Sequence, residues 1–64
     1  MVSDLDIYRA ANLLILQHGE DAEIFAARRA DQMRDRGERD GQLVWLRIKR
    51  AVAELQAMPT GLPN

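Results

Sequence analysis

The sequence predicts an all-α fold: a small three-helix domain in which helix one packs on a hairpin made by helices two and three. Three observations predict it. Apolar side chains recur at three- and four-residue spacing in three separate segments, which is the period of a helix with one inward face. Gly19, Gly37 and Gly41 divide the first two thirds of the chain, and Pro59 closes the last helical segment. The β-branched and aromatic residues are few and alternate nowhere over four or more positions, so no strand is expected.

The first helix is expected over residues 4 to 18. Ser3 is its N-cap, able to accept an N–H near Asp6, and Asp4 and Asp6 place negative charge at the positive end of the helix dipole. Ile7, Ala11, Leu14, Ile15 and His18 fall on one inward stripe, and Gly19 suits a left-handed C-cap. Leu5, Leu13 and Leu16, with Arg9 and Asn12 among them, lie on nearly the opposite face. That is more apolar surface than one contact needs.

The second helix is expected over 21 to 36, starting near Glu20 or Asp21 and ended by Gly37, with Arg34 and Arg36 beside its negative end. Its inward stripe is Ala22, Phe25, Ala26, Ala30 and Met33. Alanines let a neighbouring helix approach closely but add little apolar area each, which leaves Phe25 as the anchor. The third helix, over 39 to 57, has the strongest period, with Val44, Trp45, Ile48, Ala51, Val52 and Leu55 inward and Gly41 on the same face. Leu43 and Leu46 point away from that face.

Residues 1 to 58 are therefore read as a single helical domain, and residues 59 to 64, which have no period, as a flexible C-terminal tail. A chain of 64 residues buries only roughly 60% of its unfolded surface, so its core needs support from close packing or from a second chain. Disulfides are excluded by the absence of Cys, and a structural metal site is not expected with His18 as the single His. The longest apolar run, Leu13 to Leu16, is far short of the 18 or so residues that span a bilayer, and Asp4 and Asp6 stand where a secretory signal needs basic residues. These features read as cytoplasmic, with no membrane partner.

Several segments together resemble a family of short, uncharacterised bacterial proteins, a domain of unknown function. They are Asp6 to Ala11, Leu13 to Ile15, His18-Gly19, Ala26 to Asp31, Trp45 to Ile48, Ala51 and Glu54-Leu55. The resemblance spans roughly residues 4 to 56. It implies a free-standing bacterial protein and brings no activity, cofactor or site residue with it.

No catalytic, cofactor-binding or metal-ligating set emerges. His18 is the natural choice for a general base, but its place in the last turn before Gly19 favours a hydrogen bond to terminal carbonyls. Tyr8 with Asp6 and Arg9 could hold a phosphate, although a Tyr there more often keeps its ring at the core margin and its hydroxyl in water. Arg29 falls within the inward stripe and must either snorkel to the surface or find a carboxylate, which Asp6, Glu20 or Glu54 could supply. Arg28 with Asp31, Asp31 with Arg34 and Asp35 with Arg39 are expected as solvated pairs. Ser3 and Thr60 give no nucleophile–base set, no Gly-rich loop joins a strand to a helix, and no pocket of about 300 Å³ is expected. An enzyme is not the reading.

Two functions remain. The first is a protein-interaction module that forms a homodimer or docks on a larger protein partner, using Leu5, Arg9, Asn12, Leu13 and Leu16 together with Leu43 and Leu46. The second is a nucleic-acid- or anion-binding regulator, because residues 28 to 50 hold eight bases and four acids whereas residues 1 to 27 hold one base and five acids. Its contacts would be Arg34, Arg36, Arg39, Arg47, Lys49 and Arg50. A net charge of -1 and interleaved acids weigh against it. One contiguous basic face would favour the second function, and dispersal among acids the first.

Overall fold

The computed structural model describes residues 2–58, and the expected tail at 59–64 lies outside the described residues. The fold is all-α. Helix α1 spans Asp4–His18, α2 spans Ala22–Asp35 and α3 spans Arg39–Ala57, with no strand among the described residues.

Each boundary has a local cause. The Ser3 hydroxyl accepts the Asp6 N–H at 3.2 Å, so one of the orphan donors at the start of α1 is satisfied as the sequence predicts. Gly19 ends α1 at φ 56°, where a side chain would be strained, but its ψ of -125° lies outside the left-handed helical well expected of it. The chain then makes one 3-10 turn, Gly19–Asp21, before α2 begins at Ala22. Helix two was expected to start within those acids. They form the tight turn instead, because the break at Gly19 leaves too little chain for a full helical turn.

The other connection is a Schellman motif. Gly37 sits at φ 74°, its N–H donates to the Arg34 carbonyl at 3.0 Å, and the Glu38 N–H donates to the Met33 carbonyl at 2.9 Å. Those two bonds satisfy carbonyls that the end of α2 would otherwise leave free. The short link folds α3 back on α2, with Met33 against Gly41 and Phe25 beside Trp45, so the two helices are antiparallel.

After the bend at Gly19–Asp21, the direction of α1 follows from its partners. Asp4 meets Arg47, Tyr8 meets Glu54, and the Gly19 carbonyl meets Gln56, so α1 runs alongside α3 in the same sense. Helix one thus packs on the hairpin chiefly through α3.

Ile7, Ala11, Leu14, Ala22, Ala26, Ile48, Ala51 and Val52 form one buried cluster. Half of these are alanines. Small residues on the facing stripe let α2 approach α3 closely and give a large ring little space between the helices. Phe25 and Trp45, expected as core anchors, are accordingly half-buried and pack against the cluster from its edge, as do Ile15, Val44 and Leu55.

Of the two courses open to Arg29, the structure shows the guanidinium reaching the surface rather than a carboxylate. No carboxylate among the described residues receives it: the exposed guanidinium lies 5.4 Å from the Phe25 ring centroid and 5.9 Å from that of Trp45, and donates to Gln32 at 3.4 Å. With the rings displaced to the margin, the position beside them is at the surface, and a cation over two aromatic faces stays hydrated. His18 completes the group by stacking on Phe25 at 4.2 Å, where a bond to terminal carbonyls was expected.

Candidate functional site

Two regions are candidates for a functional site: the seam between α1 and α3, and the outward face of α1. The seam is polar. Arg47 donates to Asp4 at 2.6 Å and to the Val2 carbonyl at 3.2 Å, Tyr8 donates its hydroxyl to Glu54 at 2.5 Å, and Arg50 approaches Glu54 at 3.6 Å. These groups line a groove of about 210 Å³ floored by Ile7 and Ala51. Every carboxylate in it already faces a cation or a donor. What the seam does is hold the first helix in register on the third.

This network was not foreseen. Asp6 and Arg9 were grouped with Tyr8, but Asp4 and Glu54 are the carboxylates used. The partners lie 43 to 46 residues apart, and only the packing direction of α1 brings them together. The one signal in the sequence is that Arg47 and Glu54 are seven residues apart and so share a side of α3.

The Tyr8 hydroxyl is held above the ordinary tyrosine range, first by its hydrogen bond to Glu54 and then by the carboxylate charge. A raised pKa in the folded state means that this contact contributes at pH below the unfolded tyrosine value and is lost as pH rises through the folded one. Tyr8 is the single Tyr, so tyrosinate absorbance reads it directly. Glu54→Gln should move that titration down towards the ordinary value, and an unchanged midpoint would show that the bond is not formed in solution.

The bases do not make one face. Arg34 pairs with Asp31 at 3.6 Å and Asp35 at 3.5 Å, whereas Arg28 with Asp31 and Asp35 with Arg39, the other expected pairs, are absent among the described residues. Such exposed pairs contribute about 1 kcal/mol at most. Arg47 and Arg50 turn towards the α1 seam, and Lys49 sits roughly 160° around α3 from Arg47 by helical geometry. Arg36 and Arg39 are exposed at the hairpin connection. Of the six candidate anion contacts, three therefore have one of the chain's own acids beside them, Arg47 the closest.

The apolar candidates are exposed. Leu5, Leu13 and Leu16 are 60%, 53% and 83% accessible on one side of α1, with Arg9 and Asn12 exposed between them. Leu43 and Leu46 are exposed too, on α3, where Leu43 stands one turn before Arg47. The seven candidate interface residues thus belong to two helices, and the α1 set forms the continuous stripe.

Two further depressions are present. One, about 530 Å³ and open, is lined by Asn12, Ile15, Glu20, Leu55 and Gln56, which is larger than the expectation of no pocket near 300 Å³. The other, about 280 Å³, lies beside His18, Asp21, Ile24, Phe25 and Arg28. Neither gathers three potential metal ligands, and no such group occurs among the described residues.

No protein-family model, curated protein or solved structure matches the chain. No helix among the described residues is long and apolar enough to cross a membrane.

Proposed function

We propose that this protein is a non-enzymatic helical interaction module that self-associates through the outward face of α1. The observation that carries the proposal is that Leu5, Leu13 and Leu16 lie on one side of a single helix, each more than half exposed. Burying each fully is worth roughly 1.5–3 kcal/mol, on a chain whose own core is half alanine. A two-fold axis lets one patch be its own partner. The dispersal of the bases among acids favours this reading over nucleic-acid or anion binding. The same reading makes the chain a bacterial, cytoplasmic protein, on the family resemblance noted above and the absence of cysteine.

Sedimentation equilibrium at tens of micromolar tests it. The wild type should sediment as a dimer, and a Leu13→Glu, Leu16→Glu double variant as a folded monomer. A monomeric wild type would exclude self-association and leave docking on a different protein. Tight, salt-sensitive binding of duplex DNA would favour the anion-binding reading instead.

A further inference from the structure

One exposed side of α3 places apolar surface between two positive charges. By helical geometry Arg39, Leu43, Leu46 and Arg50, at four-, three- and four-residue spacing, fall within about 60° of arc. Leu43 and Leu46 are 54% and 41% accessible, so two exposed leucines stand between two exposed arginines. The span from Arg39 to Arg50 holds four bases and one acid, and that acid, Asp40, lies about 60° beyond the edge of the strip. Arg39 has no ion-pair partner among the described residues, and Arg50 keeps 85% of its side chain accessible beside Glu54 at 3.6 Å. Both cations can therefore meet a partner's charge.

A second copy of this chain does not fit the strip. Pairing the strip with itself sets Arg39 against Arg39 in the parallel sense, and against Arg50 in the antiparallel sense that places Leu43 opposite Leu46. Both are repulsive. The leucine stripe of α1 fails in the same way: setting its Leu13 and Leu16 on Leu43 and Leu46 brings Arg9 to Arg39 in the parallel sense and to Arg50 in the antiparallel one. A nucleic-acid backbone would hold the two leucines against its phosphates. A helix lying in a bilayer surface turns aromatic side chains to the lipid, whereas Phe25 and Trp45 are packed on one another at the edge between α2 and α3. What fits is a polypeptide with leucine-sized side chains and opposite charge.

We infer that this strip docks an acidic amphipathic helix of a different protein, whose apolar side chains meet Leu43 and Leu46 and whose carboxylates pair with Arg39 and Arg50. The two arginines are eleven residues apart, roughly 16 Å along the axis, so the carboxylates they receive stand three turns apart on the partner. This goes beyond the self-association proposed above, which uses a different helix.

The probe is a fluorescein-labelled helical peptide with two leucines three residues apart and a glutamate four residues outside each of them. The same peptide with lysine for glutamate is its control. In fluorescence anisotropy at low salt, the glutamate peptide should bind the chain at least about tenfold more tightly than the lysine peptide, and added salt should weaken it. Leu43→Ser with Leu46→Ser should weaken it at least about tenfold. Arg39→Glu with Arg50→Glu should exchange the preference, so that the lysine peptide is the one bound. The Leu13→Glu, Leu16→Glu variant should bind as the wild type does, which keeps this test apart from that of self-association. All the altered positions are exposed, and circular dichroism checks that each variant is folded. Absence of glutamate-peptide binding by the folded wild type, equal binding of the two peptides, or loss of binding only in the α1 variant would overturn the inference. So would phosphatidylglycerol vesicles or duplex DNA that displace the glutamate peptide and bind the serine variant as well as the wild type.

Discussion

Val52→Asp is expected to leave the chain unfolded at 25 °C. Val52 is fully enclosed, with 0% of its surface accessible, and no polar or charged residue is buried near it to receive a carboxylate. An uncompensated buried charge costs several kcal/mol, whereas a domain of this size has roughly 3–5 kcal/mol in all. Protonating the carboxyl would reduce the penalty without removing it, because the acid would still lack a partner. Val52→Thr provides the graded comparison: its shape is nearly the same, and its hydroxyl can bond the carbonyl one turn back. It should stay folded with a loss of about 1–3 kcal/mol. Far-ultraviolet circular dichroism and thermal melting distinguish the three proteins. A Val52→Asp variant that melts like the wild type would show that α3 does not bury this position.

The second large effect is expected from an addition. Ala26 has 0% of its surface accessible and stands between Ala22 and Ala30 in the stripe that α2 presents to α3. Ala26→Leu adds three carbons where the helices are closest, and overpacking of this kind costs about 1–3 kcal/mol. Against so small a total, that is a large fraction of the stability. Ala27→Leu, one residue along and half-buried, has the same change in helix propensity and should be tolerated. Urea midpoints compare the two directly. Equal midpoints would mean that α2 and α3 are not held together at alanine distance.

Much of the fold was legible in the residues. Ser3 caps α1, Gly37 terminates α2, and Ile7, Leu14, Ile48 and Val52 occupy the core positions their spacing assigns. These are local properties: a cap, a positive φ and a period of 3.6 are set by neighbours a few residues away. The outward placement of Leu5, Leu13 and Leu16 was legible for the same reason, since the stripe opposite a buried stripe is fixed by helix geometry. The positions of Phe25 and Trp45 were not. A helical wheel gives direction but not distance, and the distance between α2 and α3 decides whether a ring fits inside or is displaced to the edge.

By itself, then, the sequence determined three helices, most of their ends, the direction of their inward stripes and the outward leucines on the first. Only the tertiary structure decided that α1 runs in the same sense as α3, and that single choice of direction brings Asp4 to Arg47 and Tyr8 to Glu54. It also ties Arg47 to α1. The physical reason is that side-chain pairing across helices depends on how two rigid rods are placed, which no residue specifies alone. The period along each rod is repeated at every turn and can be read from a handful of residues.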